Sequence, residues 1–105
     1  MTYLEKLKQL TAWDIAPELT EDDLEATLAS SALQDIVGLE PTHEEWSPTY
    51  DINAAAAQAW LIKAARAAAT VDEPTAGVIT SKIFDNCRSM ARIYTAKRGM
   101  SVSMK

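Results

Sequence analysis

The chain predicts an all-α fold, a small bundle of about four helices, on three observations. The stretch Asp51 to Ala69, DINAAAAQAWLIKAARAAA, runs without a breaker and is built from residues that cost least to hold helical. Apolar residues recur at helical spacing in three other stretches. Helix-start chemistry stands where those stretches begin, most plainly at Thr20 with Asp23 three residues on. At 105 residues, one domain over 1–105 is expected.

The first helix is read from Thr2 to Leu10, with Leu4, Leu7 and Leu10 on one side and Tyr3 beside Leu7. Pro17 then discourages helix at Ala16, so Trp13, Ile15 and Leu19 fall in a connector. Thr20 caps the second helix, and Glu21, Asp22 and Asp23 crowd its positive end. Leu24, Leu28 and Leu33 continue its stripe, which predicts an end near Ile36 or Val37 with Gly38 just beyond. Residues 38–50, GLEPTHEEWSPTY, read as a loop. Trp46 and Tyr50 within it either tuck against the central helix or contact another chain.

Asp51 is the expected N-cap of the long central helix, whose alanines let neighbouring helices approach closely. Thr70 to Thr80, with Pro74 and Gly77, reads as an extended loop or a short hairpin, since Val78 and Ile79 give a weak strand signal. A last helix is expected from about Lys82 to Arg98, with Ile83, Cys87, Met90 and Tyr94 on its apolar stripe. Residues 99–105 form an expected C-terminal arm. There Met100, Val102 and Met104 alternate with polar residues, a pattern for strand addition to a partner or for a frayed end.

Charge is unevenly distributed. Up to Asp51 there are twelve acids against Lys6 and Lys8, whereas from Ile52 on there are eight bases against three acids. Three arrangements accommodate this: the halves neutralise each other within one fold, identical subunits associate acidic flank to basic flank, or the basic half contacts nucleic acid. A pI of 4.7 weighs against the last. No apolar run approaches the roughly 20 residues of a membrane span. No signal peptide is expected from the charged N-terminus. A single Cys87 makes no internal disulfide and suits a reducing compartment.

Catalytic, cofactor and metal sites are not expected. The one histidine, His43, lies beside Glu44 and Glu45 in a loop, which is no recognised metal spacing. Cys87 falls on an apolar stripe, the place of a structural thiol. The three glycines are widely separated and make no phosphate-binding loop.

Trp46-Ser-Pro-Thr-Tyr-Asp-Ile-Asn-Ala-Ala-Ala, followed by Ala59-Trp60 and Lys63-Ala64, resembles a pattern of tailed-bacteriophage structural modules. So does the later helix bearing Cys87, Met90, Ala91, Tyr94 and a basic end, and together they look like the head–tail connector (adaptor or head-completion) family over about Asp35 to Arg98. Where that pattern has a glycine before Trp60, this chain has Ala59. The resemblance implies a virion protein of the neck that oligomerises as a ring, commonly dodecameric, beneath the portal. It would extend the channel through which DNA passes without sequence-specific contact and dock a tail-side connector, stopper or tail terminator protein. It implies no enzymatic activity, no cofactor and no membrane contact. On this reading Asp22, Asp23 and Glu25 face Arg88 and Arg92 of the next subunit, Trp46 and Tyr50 offer partner surface, and Met100, Val102 and Met104 dock on a neighbouring ring. The competing classes are a small nucleic-acid-binding or regulatory domain using the basic last helix, and a monomeric helical adaptor that uses Trp46 and Tyr50.

Overall fold

The computed structural model describes residues 2–69 and 74–98, with backbone alone for 74–81. Four helices follow in order: α1 Tyr3–Thr11, α2 Glu21–Ser30, α3 Ile52–Ala69 and α4 Pro74–Ala96. The all-α bundle around a long alanine-rich helix is therefore what the chain forms.

Each early helix starts at the residue whose side chain can accept from its first turn. Thr2 Oγ1 accepts from Glu5 N at 3.1 Å, and Asp51 Oδ1 accepts from Ala54 N at 3.1 Å. At α2 the capping box is complete. Asp23 N donates to Thr20 Oγ1 at 3.1 Å while Thr20 N donates to Asp23 Oδ2 at 2.8 Å.

α2 stops at Ser30, short of the end read near Ile36. The reason is tertiary. Leu33 N donates to Thr49 O and Asp51 N to Ser31 O, so residues 31–33 pair antiparallel with 49–51 and hand the chain to α3. Ile36 and Val37, freed from any helix, are exposed.

α4 begins at Pro74, so the loop or hairpin read before Lys82 is helical from there; residues 70–73 lie outside the described set. Proline suits a first helical position, where its missing N–H is not needed and its φ is already helical. The helix then carries Gly77 and the β-branched Val78 and Ile79 at a propensity cost of roughly 1 kcal/mol for the glycine.

α3 is buried on several sides at once. Ile52, Ala55, Ala56 and Ala59 meet Leu7, Leu19, Leu24 and Leu28 of the α1–α2 half, while Trp60 and Ala64 meet Cys87 and Ala91 of α4. Small side chains admit both neighbours, and α4 packs along α3 more extensively than any other pair of helices. Asn53, in the first turn of α3, donates to Lys97 O just past the end of α4 at 3.2 Å, so the two helices run antiparallel. α2 and α4 both rest against α3, and no contact between them is seen among the described residues.

Candidate functional site

Three α3 side chains at i, i+3 and i+6 share one face and hold the connector between α1 and α2. Trp60 Nε1 donates to Leu10 O at 3.1 Å. Lys63 Nζ donates to Ala12 O at 2.7 Å and to Ile15 O at 2.9 Å. Arg66 donates to Glu18 O at 3.0 Å and, with both terminal nitrogens, to the Asp23 carboxylate at 2.6 and 3.0 Å. The bonds to Leu10 O and Ala12 O meet carbonyls at the end of α1, and those to Ile15 O and Glu18 O meet carbonyls of the connector. Ala12 there adopts a left-handed φ of 46°.

Lys63 is 2% exposed, the largest of the fully buried side chains. Burial in this site pushes its ammonium pKa down, against the opposing influence of Cys87, Asp14 and Glu18. Its Nζ also lies 5.0 Å from the centre of the Trp60 ring. Burial likewise pushes the Cys87 thiol up, with Lys63 opposing.

Beside this anchor is a cleft of about 320 Å³ between the connector and α4. Ala12, Ile15, Ala16 and Pro17 form one wall, Trp60 and Lys63 the floor, and Ile83 and Cys87 the other wall, with Lys82 at the rim. The peptide bond at Ala16–Pro17 is cis. The cleft is apolar, and its floor ammonium is already spent on two carbonyls. Lys63 and Cys87 both line it, and no group of three potential metal-ligating side chains occurs among the described residues.

A second built feature is the loop after α2. The Asp35 carboxylate accepts from Val37 N at 3.0 Å, Leu39 N at 2.9 Å and Ser47 N at 3.1 Å. Burial raises its pKa, but these backbone N–H groups outweigh that and leave it lowered. Gly38, at φ +87°, closes the turn by donating to Asp35 O. Ile36 and Val37 stand at the tip, 81% and 74% exposed.

The residues read as partner surface divide into several groups. Asp22 and Glu25 are exposed on α2, and Arg88 and Arg92 are exposed on α4. Asp23 leaves that set: its carboxylate is taken by Arg66 and by Thr20, and the Arg66 hydrogen bond above all holds its pKa well below the usual carboxylate range. Trp46 and Tyr50 leave it too. Tyr50 packs on the core edge-on to Tyr3, Trp46 packs edge-on to Tyr50, and Trp46 Nε1 donates to Leu33 O at 2.9 Å. They pin the loop to its own chain, mainly through Tyr3 and Leu33. Met100, Val102 and Met104 lie outside the described residues.

Lys63, Arg66 and Asp35 are the organising residues that sequence reasoning passed over. Lys63 and Arg66 leave one trace, being the two charges among the alanines of the central helix. Among the described residues no helix is long and apolar enough to cross a membrane. No protein-family model, curated protein or solved structure matches the chain.

Proposed function

We propose that this chain is a structural subunit that associates head-to-tail into a ring, as a head–tail connector of the adaptor or head-completion kind. In a virion it would sit at the neck, between the portal and a stopper or tail-side ring, with DNA passing through unread. The observation that carries the assembly part is the separation of charge across α3. The acids Asp22 and Glu25 of α2 and the bases Arg88 and Arg92 of α4 are exposed on helices that do not touch among the described residues. Their neutralisation by each other within one copy is thereby disfavoured, and a heterologous contact between copies joins them. The connector part is supported by the likeness around WSPTYDIN.

Exposed ion pairs contribute roughly 0–1 kcal/mol each, so they set register where a ring repeats them rather than supplying its affinity. The test is ring formation on a purified portal protein, viewed by electron microscopy. Reversal by Arg88→Glu with Arg92→Glu abolishes the ring, and adding Asp22→Lys with Glu25→Lys restores it. Rings indifferent to both sets remove the charge contact. Particles carrying the protein away from the vertex through which DNA leaves remove the connector role.

The exposed bases Arg88, Arg92, Lys97 and Arg98 on and just after α4 favour nucleic-acid contact as a second reading. A shift of duplex DNA that weakens steeply with salt supports it, and its absence removes it.

A further inference from the structure

We propose that α4 of one copy lays its outer face, Arg88, Arg92 and Ile93, over the exposed Leu61 side of α3 and against α2 of a second copy. This deepens the assembly reading above and rests on it for the identity of the occupant.

Ion pairs between the flanks set register but supply little affinity, so the contact needs apolar surface as well. Among the described residues the helices expose two large apolar side chains, Leu61 of α3 at 51% and Ile93 of α4 at 47%. Leu61, Ala65 and Ala68, at i, i+4 and i+7, form one stripe and are all exposed. At about 100° of turn per residue, that stripe points away from Lys63 and the connector it holds. It runs between α2, tied to α3 by Ser30 with Gln58 and by Asp23 with Arg66, and α4, packed on Trp60 and Ala64. No contact between α2 and α4 closes over it among the described residues, so the stripe floors a shallow groove. Ile93 stands next to Arg92, on the side of α4 turned away from Cys87 and Ala91.

Charge selects the occupant and its orientation. The α2 rim of the groove carries the exposed acids Asp22 and Glu25, whereas Glu21 is tied to Lys8 and Asp23 to Arg66. The α4 rim carries the exposed bases Arg88 and Arg92. An incoming basic edge is therefore drawn to the α2 rim and repelled from the other. The outer face of α4 meets that requirement: Arg88 and Arg92, one turn apart, outnumber the exposed acid Asp85. The small exposed residues Ser89 and Ala96 keep the strip between these arginines and Ile93 low. Placing the arginines on the α2 rim sets Ile93 over Leu61 and Ala65. A copy cannot make this contact with itself, since its own α4 meets α3 through the opposite face, at Cys87 and Ala91. The outer face of α4 on one copy against α2 and α3 of another is a heterologous contact, the kind that propagates around a ring.

The test uses Leu61→Asp and Ile93→Asp, with circular dichroism to show that each keeps its helices. Sedimentation at about 1 mM protein, where a millimolar contact is half formed, should show association by the parent chain. Each variant should weaken it about 10-fold, the scale of failing to bury half an aliphatic side chain. Leu61→Asp keeps the α4 face and Ile93→Asp keeps the groove, so an equimolar mixture should recover dimers that neither variant forms alone. A parent chain that stays monomeric, variants that associate as the parent does, or a mixture no better than its components overturns the proposal. Should Leu61→Asp lose its helices, Ala65→Lys, exposed on the same stripe, takes its place. Mixed dimers without rings on a purified portal protein leave this contact standing and remove the connector reading; rings that both variants still form do the reverse.

Discussion

Lys63 Nζ lies 2.7 Å from the carbonyl oxygen of Ala12, so a buried ammonium of α3 closes the C-terminal end of α1. The same nitrogen reaches Ile15 O, and Trp60 and Arg66 take Leu10 O and Glu18 O on either side. A connector with no regular structure of its own thus borrows its donors from one face of a neighbouring helix. The cleft lies between that connector and α4, with Trp60 and Lys63 of the ladder among its lining.

Removing the ammonium should therefore cost stability even where the bulk of the side chain is kept. Lys63→Ala loses two charge-assisted hydrogen bonds and leaves a void, and a loss of about 3 kcal/mol is expected. Lys63→Met keeps the stem and deletes a desolvated charge, so about 1–2 kcal/mol is expected, the Ile15 carbonyl being near enough to solvent to recruit water. Urea midpoints at neutral pH check the order. A Met variant as stable as the parent would mean that the side chain acts only as filler.

Alkaline titration probes Cys87 separately. Its folded pKa is raised by burial, so the folded state holds the thiol proton after the unfolded chain begins to lose it near pH 8.5. The stability this thiol contributes is complete below that pH and is lost as pH rises through the folded value. Lys63 works in the other sense: its lowered pKa makes the charged form a liability that is relieved as pH rises toward about 10.4. Cys87→Ala should be less stable than the parent at pH 7 by about 1 kcal/mol, and the gap should narrow from about pH 8 to 10. A gap that widens over that range would contradict the assignment.

Asp23 serves two elements with one carboxylate, capping α2 through Thr20 and holding Arg66 of α3. Asp23→Ala should cost about 1–2 kcal/mol at pH 7, mostly the cap, because Arg66 is partly exposed and its pair is screened. Since the folded pKa is depressed, this contribution is present above the unfolded value of about 4 and disappears as pH falls through the folded one. The gap between parent and variant in urea midpoint should begin to close as pH falls below about 4 and go on closing toward the folded value. Arg66→Met should show the same convergence with a smaller difference at neutral pH.

What could be read from the chain alone was whatever its chemistry fixes locally. Thr20 and Asp51 announce helix starts because a cap and the N–H groups that donate to it lie within three residues. The end of α2 was hidden because the bond that stops it joins Ser31 to Asp51 across the loop. The start of α4 was hidden because Pro74, a breaker inside a helix, is well suited to its first turn. At the candidate site the acceptors of Lys63 lie 48 and 51 residues away in sequence, and the Asp23–Arg66 pair spans 43. No local pattern encodes such partners. The sequence shows the capping role of Asp23 but not its bond to Arg66, and it leaves Trp46 and Tyr50 between the chain's own core and another chain.

The Asp35 turn gives the last prediction and separates backbone strain from side-chain anchoring. Gly38 sits at φ +87° with no atom within 4 Å of where a Cβ would stand, so Gly38→Ala meets open space and carries only the cost of the left-handed backbone. A loss of about 1 kcal/mol is expected, with the loop intact. Asp35→Ala removes the acceptor shared by Val37, Leu39 and Ser47 and should release the loop itself. Trp46 reports the difference, because its indole N–H is held on Leu33 O beside that loop. Its fluorescence should move toward the solvent-exposed wavelength in Asp35→Ala and stay unchanged in Gly38→Ala, and the Val37 and Leu39 amides should lose hydrogen-exchange protection only in the former. If both variants left Trp46 and those amides as they are, Asp35 would not be what holds the loop.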